Sequence, residues 1–212
     1  MATDLPDLIS YDIPVDLPDA VVDWTPDASR CALLIHDMQR HFLKPFDPAT
    51  EPLTTLVQNT VTLAEWARET GIPVFYTAQP ADQPPERRAL LNDYWGPGLT
   101  GDREGAEIID GLTPVGGDRV LTKWRYSAYA YTDFAEQLTE LGRDQLVITG
   151  VYASIGCAVT AVESFMGGVQ PFLVADAVGD FSREEHRLAC RWTGRRAGVV
   201  LDTDSVLRYW AG

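Results

Sequence analysis

Short apolar runs near residues 31–36, 73–77, 119–122, 145–149, 171–175 and 198–201 alternate with segments of helical periodicity near 53–70, 132–141, 156–167 and 183–196. This alternation constrains the fold more than any other feature of the chain. It predicts an α/β architecture in which a parallel sheet is covered by helices on both faces. A chain of 212 residues, 45% of them hydrophobic, can bury one substantial core, so a single domain over residues 25–212 is expected. Residues 1–24 are rich in Asp and Pro and read as an N-terminal arm lying on its surface. The stretch from Gln79 to Thr100, with Pro80, Pro84, Pro85 and Pro97, is too long for an ordinary connection. It is also too apolar at Leu90, Leu91, Tyr94 and Trp95 for a linker, and reads as a lid.

Sheets of this kind bind ligands beyond the carboxyl ends of their strands. Three features fall there. Asp37 closes the run Leu33-Leu34-Ile35-His36-Asp37, Lys123 closes Arg119-Val120-Leu121-Thr122-Lys123, and the turn from Gly150 to Gly156 leads from an apolar run into a helix. An acid, a cation and a glycine turn are thereby predicted to share one crevice. From the residues alone, Asp37 reads equally well as the cap of a short helix starting near Met38, and Lys123 as a solvated strand end. Lysine is scarce, Lys44 and Lys123 against fifteen Arg, which makes a lysine at a strand end less ordinary. His36 precedes Asp37 on a strand and should point to the opposite face as a hydrogen-bonded core histidine. His186 follows Ser182-Arg183-Glu184-Glu185, a capping-box pattern. Asp204 or Thr203 would cap a last helix. Three scattered histidines define no metal site.

The formal charge of −14 excludes the basic footprint that nucleic acid or an anionic membrane surface would require. The first residues, Met1 to Asp7, hold neither a basic region nor an apolar stretch, and no segment reaches the length of a membrane span, so a cytoplasmic protein is expected. Cys31, Cys157 and Cys190, odd in number and widely spaced, fit reduced thiols better than a disulfide framework or a zinc site. Gly96-Pro97-Gly98-Leu99-Thr100-Gly101 matches G-x-G-x-x-G, yet it follows a Pro-rich loop and opens no evident helix, so a dinucleotide site is not expected.

The segments LLIHDMQ (33–39), YTAQP (76–80), ALLNDYWGPGL (89–99), LTKWRYSAY (121–129), GVYASIGC (150–157) and PFLVADAVGDFSREEH (171–186) resemble the isochorismatase family, in family order and over nearly the whole chain. The resemblance implies a single-domain Rossmann-like sheet, the isochorismatase-like hydrolase fold, with no cofactor and a homodimeric assembly. By these motifs the chain is similar to siderophore-pathway isochorismatases and to phenazine-pathway 2-amino-2-deoxyisochorismate hydrolases. Their reaction is the cleavage of a vinyl ether. The terminal CH2 is protonated, water captures the oxocarbenium ion, and the hemiketal collapses to pyruvate and a ring alcohol.

In cysteine hydrolases of the same fold an Asp, a Lys and a Cys form the catalytic set. Asp37 and Lys123 match the first two and Gly156 stands in place of the third, which argues against covalent catalysis and gives the substrate or its water room at that point. Asp37 becomes the general acid. Arg88 matches the family's substrate-binding arginine, with Arg87 its competitor; Gln79 matches a hydrogen-bonding residue; Trp95, Tyr126 and Tyr152 match positions that wall the ring. Local cations must attract a small dicarboxylate against the field of an anionic protein.

A register error of one residue would make Cys157 the nucleophile of an amidase. A non-catalytic interaction module would have no need of the Asp37 and Lys123 pair. Asp204-Ser205-Val206 faintly resembles a carrier-domain serine, but too few residues follow it. The missing carrier domain leans the expectation toward the amino substrate, while Ser154 departs from the histidine that close relatives often have.

Overall fold

The apolar runs form strands because successive side chains serve two different cores. On β1 (Cys31–His36), Cys31, Leu33 and Ile35 enter one apolar cluster and Ala32 and Leu34 enter the other. The computed structural model describes residues 8–212. Along the chain follow α1 (Arg40–Leu43), α2 (Leu53–Thr70), β2 (Val74–Ala78), α3 (Pro85–Arg88), α4 (Leu91–Trp95), β3 (Arg119–Thr122), α5 (Phe134–Glu140), β4 (Gln145–Val151), α6 (Ala158–Met166), β5 (Gln170–Gly179), α7 (Arg183–Arg196), β6 (Val199–Leu201) and α8 (Thr203–Ala211).

The six strands make one parallel sheet in the order β3-β2-β1-β4-β5-β6. This is the doubly wound, Rossmann-like order, whose winding direction reverses between β1 and β4. Helices α2 and α8 supply Leu56, Leu63, Val206 and Trp210 to the core on one face. Helices α5, α6 and α7 supply Phe134, Leu138, Ala161 and Ala189 to the other. Gly71 closes α2 in the left-handed conformation at φ 77°, where glycine carries no Cβ penalty.

Two elements depart from the expected boundaries. Strand β5 runs on to Gly179, because the β4–β5 register shifts between Ile148 and Gly150 and pairs Gly150 with Val178 and Val151 with Gly179. The helix expected from 156 starts at Ala158, after a π-helical turn over Ala153–Cys157. Ser182 caps α7 as its sequence pattern indicates, accepting from Glu185 N. The cap of α8 is Asp202, one residue before the expected pair, and Thr203 begins the helix.

From residue 8 onward the expected arm lies on the domain. Ile9 bridges Phe46 and is buried in the core, and the Tyr11 hydroxyl reaches both His186 and Asp180. Residues 1–7 of that arm lie outside the described residues. No helix among the described residues is long and apolar enough to cross a membrane.

Candidate active site

At the end of β1 the chain turns out of the strand: Asp37 adopts φ +49°, a left-handed conformation that Asp tolerates better than most residues. Its carboxylate is held from two sides. Thr77, on β2, donates its hydroxyl to Oδ1 at 2.6 Å while accepting the Asp37 backbone N–H at 3.0 Å. Lys123, just past β3, donates from Nζ to Oδ2 at 2.6 Å. Asp37 and Lys123 are 5% and 2% exposed, a depth at which losing either partner strands a buried charge. The helix-cap reading of Asp37 fails: α1 has Gln39 at its N-cap, and the Asp37 side chain goes to Thr77 and Lys123.

His36 does not point away from Asp37. Because the backbone leaves strand geometry at Asp37, the alternation of faces stops there, and His36 Nδ1 lies 3.7 Å from Asp37 Oδ2. The ring is fully buried and Nδ1 donates to the Val151 carbonyl at 3.0 Å. Burial pushes the imidazole down to about 4, so it is neutral near pH 7.

The glycine turn meets the same residue. A Cβ on Gly150 would lie 2.1 Å from the His36 carbonyl oxygen, and one on Gly156 would lie 2.0 Å from His36 Cε1. A side chain at 156 would therefore collide with an imidazole, while the glycine itself lines the cavity. Asp180 holds the turn by accepting the backbone N–H groups of Ser154 and Phe181, and burial raises its carboxyl to about 6. Cys157 is fully buried, its Sγ directed at the Thr149 carbonyl, and burial pushes the thiol well above its ordinary value. A thiol so placed is protonated and inert.

Asp37, Gln79, Arg88, Trp95, Lys123, Tyr126, Tyr152 and Gly156 all line a single cavity of about 570 Å³. Neither Cys157 nor any Ser or Thr is among its lining residues. Arg88 is buried, donating from Nε to the Gly96 carbonyl at 2.6 Å and from Nη1 to Gln83 Oε1 at 2.9 Å. Arg87 is exposed and lies over the Trp124 ring, which resolves the competition between the two arginines in favour of Arg88 as the cavity residue. Gly98 explains the glycine-rich segment: a Cβ there would lie 2.5 Å from Arg88 Nη1, so the loop yields its side chain to the guanidinium.

The far wall is aromatic. Tyr152 stacks between Phe46, at 6.0 Å between centroids, and Phe181, at 4.1 Å, while Phe181 stacks on Trp95 at 6.1 Å. Trp95 Nε1 donates to the Tyr126 hydroxyl at 2.8 Å, and the Tyr152 hydroxyl to the Phe42 carbonyl at 2.6 Å. The sequence reading missed Thr77, Phe181 and the outer residues His41, Lys44 and Asp102. Thr77 stands inside the YTAQP segment and Phe181 lies two residues past the end of β5, so both were within reach of a strand-end argument. No group of three or more His, Cys, Asp or Glu able to hold a metal occurs among the described residues.

An acid and a lysine joined at the switch point of a doubly wound sheet, beneath an aromatic cavity, define the class as a hydrolase on an α/β scaffold. Within it, the chain belongs to the isochorismatase family, whose isochorismatase domain matches residues 31–205. It is similar to the phenazine biosynthesis protein PhzD of Pseudomonas fluorescens, 42% identical over 97% of this chain and 99% of that protein. It is also similar to an isochorismatase of Bacillus subtilis, 47% identical over 96% of this chain and 66% of the relative. Among solved structures, a cysteine hydrolase from Pseudomonas syringae matches with a TM-score of 0.82 at 20% identity, covering 90% of this chain and 97% of its own, a likeness of fold.

Proposed function

We propose that this protein hydrolyses the vinyl ether of isochorismate or 2-amino-2-deoxyisochorismate, giving pyruvate and a dihydro-dihydroxybenzoate from the first or a dihydro-amino-hydroxybenzoate from the second. The observation that carries the proposal is the Lys123–Asp37–Thr77 arrangement in a cavity that no Cys, Ser or Thr lines among the described residues. The names of the two curated relatives agree with it.

In this reading Asp37 delivers a proton to the terminal CH2 of the enol ether. The C–O carbon becomes an oxocarbenium ion, water adds to it and returns a proton to the Asp37 carboxylate, and the hemiketal breaks to release pyruvate and the ring alcohol. Lys123 and Thr77 fix the plane of the carboxyl group. Arg88 binds a substrate carboxylate through Nη2, since Nε is held by Gly96 and Nη1 by Gln83 and Gln79, and Lys123 adds a second local cation to a protein of charge −14. Tyr152, Phe181 and Trp95 enclose the ring, and Gln79 faces it. The protein acts as a cytoplasmic homodimer without a cofactor.

The test offers purified protein each substrate separately and follows pyruvate. Release from at least one, abolished in Asp37→Ala and retained in Cys157→Ala, supports the assignment. Full turnover in Asp37→Ala, or a covalent thioester on Cys157 in the mass spectrum, refutes it.

A further inference from the structure

We infer that His36 is a positioning residue for Asp37, and that position 156 is glycine because the His36 ring occupies the space of its side chain. The inference deepens the hydrolytic reading above and rests on it for its kinetic part. The packing is specific. A Cβ at 156 would fall 2.0 Å from His36 Cε1 and 2.7 Å from both ring nitrogens, contacts that no side chain at 156 survives while the ring stays in place. Gly156 has no positive φ, so the backbone itself does not call for glycine there. Gly150, in the same turn, clears the backbone of the same histidine. Two glycines thus yield to one residue.

A core filler of this size would be apolar. The His36 ring instead leaves Nε2 buried without a hydrogen-bond partner, a cost that a residue kept only for volume would not incur. What the ring offers in return is its other edge. Nδ1–H is anchored on the Val151 carbonyl at 3.0 Å and lies 3.7 Å from Asp37 Oδ2, the oxygen that Lys123 also contacts. The imidazole therefore ties the β4 turn to the acid: a fixed N–H dipole beside Oδ2 restricts the carboxyl group opposite the lysine, and the bulk of the ring closes the floor beneath it.

Two measurements test this. In thermal unfolding, Gly156→Ala should lower Tm by roughly 5–10 °C, although an alanine in a helical turn is ordinarily stabilising. In the His36→Val background the same alanine should cost little or nothing. In steady-state kinetics, His36→Val should lose on the order of tenfold to hundredfold in kcat with KM within about threefold, as expected when a hydrogen-bonded positioning contact is lost. His36→Asn, whose amide N–H can replace Nδ1–H toward Val151, should recover most of that loss. The inference falls if Gly156→Ala is as stable as the parent or equally destabilised in both backgrounds, if His36→Val keeps its kcat, or if His36→Asn is no better than His36→Val. Should the parent protein release no pyruvate from either substrate, the hydrolytic reading fails, while the thermal coupling of positions 36 and 156 is still measured.

Discussion

Among the described residues, Thr77 is the one uncharged side chain that hydrogen-bonds Asp37. Its hydroxyl is the donor to Oδ1, and its oxygen also receives the Asp37 N–H, so it fixes both the carboxyl and the left-handed backbone beneath it. Thr77→Val keeps the shape and removes both bonds. A hydrogen bond to a charged group contributes about 1.5–3 kcal/mol, so kcat should fall roughly tenfold to hundredfold in Thr77→Val. An unchanged kcat would show that Thr77 does not orient the acid. Cys157 gives the opposite expectation. Its thiol makes one weak contact and faces no cavity, so Cys157→Ala should keep kcat and KM within about twofold and cost on the order of 1 kcal/mol in unfolding. At this scale the sequence exposed Asp37 and Lys123 because a charge at the end of an apolar run is conspicuous. It concealed Thr77, since threonine inside a strand is ordinary, and it misplaced His36 because the alternation of faces was carried one residue beyond the strand.

Elements meet at the site through few contacts, and those contacts can be broken singly. The end of β5 is pinned to the N-terminal segment by Tyr11, whose hydroxyl accepts from Asp180 N and donates to His186 Nδ1, while His186 Nε2 donates to the Ala175 carbonyl. Tyr11→Phe leaves a buried donor and a buried acceptor unmatched, so it should cost roughly 1–3 kcal/mol and several degrees in Tm. Loss of no more than a degree in a thermal scan would show that water replaces the hydroxyl. The 79–100 loop depends in the same way on Gly98. Gly98→Ala meets both a φ of +67° and the Arg88 guanidinium, and should raise KM several-fold while sparing kcat; a normal KM would mean that Arg88 does not bind the substrate. The main elements were legible because β1, α2, β3 and α7 are bounded by clear changes of periodicity or by caps. The extension of β5 and the π-turn before α6 depend on a register shift between two strands, and no local pattern encodes such a shift.

For the molecule as a whole, proton binding sets the acid limit of stability. Burial holds His36 and His186 down to about 4, so each must take up a proton when the chain unfolds below about 6.5. Asp180, raised to about 6, works in the opposite sense below that value, because the folded state binds its proton first. Burial also lowers His41, which joins the two histidines, and raises Asp176, which joins Asp180. Three histidines outweigh two carboxyls, and stability should fall as pH drops from about 6.5 toward 4. A Tm higher at pH 5 than at pH 7 would contradict this balance. Strand order has a further consequence. The acid hangs from β1, in the middle of the sheet, whereas the rings and the arginine that line the cavity arrive on connections leading out of it. A chain organised in this way can exchange its rim without disturbing its anvil. Transplanting the 79–100 segment from a relative of different taste should redirect which molecule is accepted and leave the bond-breaking step as it was.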